Sequence, residues 1–328
     1  MTEQQERRER TYPPPFPDGW YRVANSKDIK PGEVRHIQCL GEEIALFRSD
    51  TGRIAALEAF CPHMGANLAY GEVKGDRLQC PFHGWQLDGN GRVCQPRISE
   101  SFVQKRWEAI EYYGMILIYH SASGKSPPYQ LPSQEKIDSG QQVYRGHHNA
   151  GEEEIHIIEF AENTVDFTHF STVHGTMCIP WTQIKLPWIK IRHKPGWSSD
   201  KYLAYFKDEA TLEIRGKIYE NTRCSALLTF FGPGSVVRFE LDIPKIGEIT
   251  IFQTFTPVEA LKQRIALRWF APRKAPGILV SSVVGSWFSQ LKEDLGILKR
   301  KIYQKVPLQA KSEGLLLEDM RRWYQQFY

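Results

Sequence analysis

Two cysteines and two histidines enter this chain as two mixed pairs, Cys61-Pro62-His63 and, sixteen residues later, Cys80-Pro81-Phe82-His83. No other stretch constrains the fold as strongly, because it asks for two stiff loops set against each other. Gly65 and Gly84 follow the pairs and let the backbone turn tightly, while Pro62 and Pro81 fix φ just after each thiolate. A cysteine and a histidine in each pair suit two metal ions with unlike ligands, two thiolates on one and two imidazoles on the other. The alternative is a single tetrahedral zinc ion. Zinc pairs usually read Cys-x₂₋₄-Cys and His-x₃₋₅-His, whereas here each pair is mixed and one has a single intervening residue.

At Cys61-Pro-His63-Met-Gly65 and Cys80-Pro-Phe-His83-Gly84-Trp85 the sequence resembles the Rieske proteins. The resemblance implies a [2Fe–2S] cluster held by Cys61, His63, Cys80 and His83, with two thiolates on one iron and two imidazoles on the other. Respiratory members carry further loop cysteines that form a disulfide. Ala66 and Phe82 stand near those places here, so the likeness is to the ferredoxin and oxygenase branch, which works in the reducing cytosol.

A cluster module needs on the order of 100 residues, so a chain of 328 has room for a second domain. Net charge is only +4, with both signs interspersed and no basic stripe among aromatics, which argues against nucleic acid as a partner. Aromatic content of 12% favours large cores or an apolar pocket. Six cysteines do not make a disulfide scaffold, and Cys39, Cys94, Cys178 and Cys224 read as small buried side chains. The most apolar long run, Gly277 to Leu291, stops at Lys292-Glu293-Asp294, short of the ~20 residues of a membrane helix, and the charged start Met1 to Arg10 has no secretory core. The expectation is a cytoplasmic protein without a membrane span, with peripheral membrane contact left open.

The fold class expected is α+β, in four segments. Residues 1–19 form an N-terminal extended segment, polar at first and proline-rich from Tyr12 to Trp20. Residues 20–120 hold short alternating runs such as Glu43–Phe47, Arg53–Leu57, Arg77–Cys80 and Gly114–Tyr119, with turns at Asp50–Gly52 and Asp88–Gly91, which predict an antiparallel β domain. Residues 121–145, rich in Ser, Pro, Gly and Gln, are a linker. Residues 146–328 mix polar helical periodicity, strands such as Leu212–Tyr219 and Ile249–Phe255, a long helix from Gly277 to Gln304 and a short terminal helix at Met320–Tyr328.

The second chemical stretch runs from Glu162 to His174. His169 and His174 are five apart and do not share one face of a regular helix, but they converge if the helix ends or kinks between them. Two histidines need a carboxylate to complete a facial triad of the kind that leaves positions open on Fe(II). In the long helix Val280, Val283, Val284, Trp287, Leu291, Leu298 and Ile302 form an apolar stripe, and Asp294 falls inside it. A buried unpaired carboxylate costs several kcal/mol, so Asp294 calls for a cation, either a metal or a buried Arg or Lys. Glu293 is expected to point about 100° away from it.

Asn163-x₂-Asp166-x₂-His169-x₄-His174 is similar to the iron motif of the Rieske non-haem iron oxygenases. The resemblance implies a helix-grip catalytic domain with an antiparallel sheet and a long helix, and mononuclear Fe(II) on His169, His174 and Asp294. Asp166 resembles the acid that links the cluster histidine of one subunit to the iron ligand of the next in a head-to-tail homotrimer, with Asn163 beside it. Tyr12–Trp20, Cys61–Leu68 and Arg321–Tyr328 look like the steroid-acting branch, which includes cholesterol 7-desaturases and 3-ketosteroid 9α-hydroxylases.

That branch implies an oxygenase using O2 to hydroxylate or desaturate a bulky apolar substrate, a sterol or steroid. Sterol C4-methyl oxidation, ketosteroid hydroxylation and a purely electron-transferring Rieske protein are the alternatives. No G-x-G-x-x-G fingerprint follows a strand, so electrons are expected from NAD(P)H through a separate reductase or ferredoxin. Pro180–Trp188 reads as an entrance flap or a plain surface loop, and His147, His148 and His156 as surface or structural.

Overall fold

The computed structural model describes residues 3–94, 102–308 and 311–328. The chain divides into two compact units, each described here by itself. Residues 16–128 with 256–259 form one, and residues 1–15, 129–255 and 260–328 the other.

The opening segment is not an extended tail. Helix α1 (Glu3–Thr11) forms there and belongs to the second unit. Its buried Arg8 donates to the carbonyls of Glu154, Leu298 and Lys301, contacts that no local pattern announces.

The first unit is built from short strands: β1 (Gly19–Asn25), β2 (Val34–Cys39), β3 (Glu42–Arg48), β4 (Ile54–Glu58), β5 (Glu72–Lys74), β6 (Arg77–Gln79), β7 (Gln86–Asp88), β8 (Arg106–Trp107), β9 (Ala109–Tyr112) and β10 (Met115–His120). They pair into three antiparallel sheets in the orders β1-β10-β9, β2-β3-β4-β8 and β5-β6-β7. Phe47, Leu57, Leu68, Leu78 and Leu87 are buried together around Cys61 and Cys80. Each such side chain contributes about 1.5–3 kcal/mol by leaving water, which gives the two loops a rigid floor.

The second unit carries one eight-stranded antiparallel sheet. Its strands are β11 (Gln142–Glu153), β12 (Thr176–Cys178), β13 (Lys185–Asp200), β14 (Leu203–Ile214), β15 (Lys217–Phe231), β16 (Val236–Ile243), β17 (Gly247–Glu259) and β18 (Lys262–Pro272), in the order β11-β18-β17-β16-β15-β14-β13-β12. The expected single strand Leu212–Tyr219 is instead a hairpin. Arg215 and Gly216 both have positive φ, 50° and 82°, the conformation of a two-residue turn whose twist matches that of the flanking strands.

Five further α-helices lie among the described residues: the short α2 (Glu135–Asp138), α3 (Ile158–Asn163) and α4 (Phe167–Thr172), the long α5 (Gly277–Leu298), and α6 (Lys311–Tyr324). α5 ends six residues earlier than its apolar pattern suggests, because the chain then turns to aim Lys301 at Glu159 of α3. None of the described helices is long and apolar enough to cross a membrane.

Candidate metal centres

In the first unit the two ligand loops repeat one hydrogen-bond pattern. The Cys61 amide donates to Ala66 O at 2.8 Å and Gly65 N to Cys61 O at 2.9 Å; Cys80 donates to Trp85 O at 2.7 Å and Gly84 N to Cys80 O at 3.2 Å. Gly65 and Gly84 take φ of 73° and 69°, which only glycine adopts freely. Both thiols are free and buried, and burial together with the neighbouring Cys80 thiol pushes the Cys61 pKa up. His63 and His83 are exposed at the loop tips, ring centroids 4.7 Å apart, and Trp85 stacks on His63 at 4.2 Å. Paired thiols inside and paired imidazoles outside are the donor set of a cluster with one sulfur-held and one nitrogen-held iron.

In the second unit, ligand-type atoms of His169, His174 and Asp294 all lie within 4.8 Å of one another, and all three residues are buried. The helix does break between the histidines: α4 ends at Thr172, and His174 follows on the turn toward β12. Asp166 caps α4, its Oδ1 accepting from the His169 amide at 3.3 Å, while its backbone carbonyl accepts from His169 Nδ1. A carbonyl cannot donate, so Nδ1 carries the proton and Nε2 is left for a metal. His174 repeats the logic through a side chain. Its Nδ1 donates to Glu293 Oε2 at 3.1 Å, and its Nε2 lies 2.9 Å from Asp294 Oδ1.

Charge follows from this geometry. Burial lowers the His169 pKa. Burial alone would also lower that of His174, but hydrogen bonds and charges from Asp294 and Glu293 lift it to about 9. Against its own burial, Glu293 is held low by His174 and by Lys185, whose Nζ lies 2.7 Å away. Two carboxylates facing two imidazoles and one ammonium suit a divalent cation.

The first unit matches the Rieske [2Fe–2S] domain model over residues 19–105, and the chain matches the 3-ketosteroid 9α-hydroxylase C-terminal domain model over residues 118–328. A cholesterol 7-desaturase of Drosophila melanogaster is 32% identical over 96% of this chain and 76% of that protein. The chain belongs to the Rieske oxygenases. The oxygenase component of a 3-ketosteroid-9-alpha-monooxygenase of Rhodococcus rhodochrous is 26% identical over 97% of this chain and 85% of that one. Two solved structures share the fold: NdmA of Pseudomonas putida CBB5 with caffeine (TM-score 0.71, 17% identity, 99% of this chain and 92% of that one) and dicamba monooxygenase bound to dicamba (TM-score 0.66, 17%, 94% and 96%).

As a Rieske oxygenase the protein is an O2-dependent oxidoreductase with a [2Fe–2S] cluster and a mononuclear iron, served by a separate reductase or ferredoxin. Both donor sets fit these groups. The remaining residues singled out in the sequence also take definite places. Asn163 Nδ2 lies 3.3 Å from His169 Nε2, and Asp166 is exposed beside a cleft of about 270 Å³ lined also by Asn163, Lys301, Gln304 and Arg321. His156 is buried, His148 packs on Trp181 and Phe288, and His147 is exposed. Cys39 and Cys178 are buried, whereas Cys94 and Cys224 are only half-buried.

Sequence reasoning passed over the residues behind the ligands. The Glu293 side chain is 7% exposed and backs His174. Glu159 and Glu162, buried on α3, are held by Tyr12, Lys301 and Arg321, and so fix the helix that leads into Asn163 and Asp166. Their signal was weak, two acids three residues apart before a known motif.

Proposed function

We propose that this Rieske oxygenase acts on a sterol or steroid, with desaturation at C7 as the leading reaction. The observation that carries it is the 32% identity, over 96% of the chain, to an enzyme named for cholesterol 7-desaturation. His169, His174 and Asp294 hold Fe(II), Cys61 and Cys80 hold one cluster iron, and His63 and His83 the other. When bound, the cluster passes on single electrons that originate in NAD(P)H, and the mononuclear iron activates dioxygen.

The chain's own residues orient and insulate. The Asp166 carbonyl and Glu293 fix the tautomers of His169 and His174, keeping both Nε2 atoms turned inward. The exposed Asp166, with Asn163 beside it, supports a head-to-tail homotrimer in which it meets His83 of the partner subunit. Exposed Ile184, just before β13, and Trp188, near its start, support peripheral contact with the membrane that would hold such a substrate.

Steroid hydroxylation is the second reading, favoured by the 3-ketosteroid 9α-hydroxylase model over residues 118–328. The substrates named for these relatives carry different oxygen groups, an alcohol in cholesterol and a ketone in a 3-ketosteroid. Incubation with a sterol and steroid panel and a surrogate reductase, with products read by mass spectrometry, tests the proposal; turnover of none would refute it. Asp294→Ala should lower iron from about three to about two per chain while the cluster's visible spectrum persists. Retained turnover in that variant would refute the ligand assignment.

A further inference from the structure

On the sheet face that meets α4, β13 and β14 bury a second polar pair. His193 and Asp208 are diagonal neighbours, since His193 registers with Ala210 and Asp208 with Pro195. Their side chains are only 7% and 8% exposed, and His193 Nδ1 lies 2.6 Å from Asp208 Oδ2. The other carboxylate oxygen, Oδ1, accepts from the Lys194 amide at 2.9 Å. Both carboxylate oxygens are therefore engaged and the imidazole plane is fixed.

This pair adjoins the iron site without being part of it. Phe170 of α4 stacks on Phe206, two residues before Asp208, and its ring lies 5.3 Å from His193, 5.8 Å from His174 and 4.1 Å from His169. One aromatic ring thus separates His193 from the iron-binding histidines.

The remaining ring nitrogen, His193 Nε2, is buried and has no hydrogen-bond partner among the described residues. An enclosed polar atom of this kind calls for a partner that the chain itself does not supply. The chemistry of the missing partner follows from the tautomer. Asp208 accepts, so Nδ1 carries the proton and Nε2 presents a lone pair. A lone pair takes an O–H donor and offers nothing to a carbonyl oxygen.

We propose that His193, oriented by Asp208, is the acceptor for a hydroxyl group of the substrate, so that the enzyme takes a polycyclic alcohol in preference to the matching ketone. This rests on the steroid reading above and decides within it. His193 is a specificity residue; Asp208 is a positioning residue that acts through it.

The test uses the full-length holoenzyme and a matched pair, cholesterol and its 3-ketone, with binding by equilibrium dialysis and turnover by mass spectrometry. The native protein should favour the alcohol by about tenfold or more in kcat/KM and in affinity, the worth of one buried hydrogen bond. His193→Leu should bring the two substrates to within about twofold of each other by removing the acceptor. Asp208→Asn supplies an amide donor to Nδ1, moves the ring proton to Nε2 and should invert the preference toward the ketone. A purely structural pair would lower both substrates alike and invert nothing. Equal use of alcohol and ketone by the native protein, or an unchanged preference in Asp208→Asn with iron content intact, overturns the assignment. Failure of both steroids to bind overturns the steroid reading and this assignment with it.

Discussion

Replacing Glu293 with glutamine keeps the size of the side chain and removes the negative charge behind His174. The carboxylate accepts the His174 Nδ1 proton at 3.1 Å and meets Lys185 Nζ at 2.7 Å. An isolated charge pair at the 3.1 Å separation is worth about 5 kcal/mol at an effective dielectric of ~20. Lys185 already absorbs much of the field, so the net effect should be that of losing the carboxylate behind a metal-bound histidine. That is roughly 10- to 100-fold in metal affinity, or about 1.4–2.8 kcal/mol.

The pH dependence separates this cause from general damage. With His174 lifted to about 9 by Asp294 and Glu293 against its burial, a metal arriving at neutral pH displaces a proton from it. Apparent Fe(II) affinity of the native protein should therefore rise with pH, about tenfold per unit, until about 9. Glu293→Gln lowers the His174 pKa, so its climb ends earlier and its deficit is widest on the alkaline side. Anaerobic Fe(II) titration between about pH 6.5 and 8.5 measures both curves. Equal affinities throughout, or a uniform deficit with the native slope kept up to the alkaline end, would refute the reasoning.

Three further outcomes follow from local geometry. His156 is 1% exposed, stacked on Tyr12, and burial holds its pKa down at about 4; the unfolded chain therefore binds the extra proton first, and stability should fall as pH drops from about 6.5 to about 4, by about 3 kcal/mol, a slope that His156→Phe removes in urea midpoints. Gly175→Ala would set a Cβ 2.3 Å from the Ser171 carbonyl of α4, so His174 must move, and metal analysis should show mononuclear iron lost while the cluster spectrum persists. Gly65→Ala meets no protein atom within 4 Å, so its cost within the chain is the positive φ, about 1 kcal/mol, which should lower thermal stability in a melting curve.

What the sequence disclosed and what it hid divide along the range of the interactions. Cys61, His63, Cys80 and His83 were legible because each pair is held by its own loop, through bonds such as Cys61 N to Ala66 O that span five residues. Asp294 was legible because a carboxylate inside an apolar stripe has to be neutralised by something. Glu293, its neighbour, was passed over because periodicity assumes one buried helix face. α5 has a second, where β12 and the start of β13 bring Cys178 and Lys185 against Glu293. The same reason conceals α1, whose Arg8 bonds to carbonyls up to 293 residues away, and the pair His193 and Asp208. Alternation along β13 does place His193 on the inner face with Ile189 and Ile191. Which residue of β14 stands beside it depends on the register set by the turn at Lys201, and a slip of one residue would replace Asp208 by Lys207 or Glu209, both exposed. The ligands are thus written locally and their tuning is written in the register of the sheet, so variants that shift register should spare iron binding before they spare the choice between alcohol and ketone.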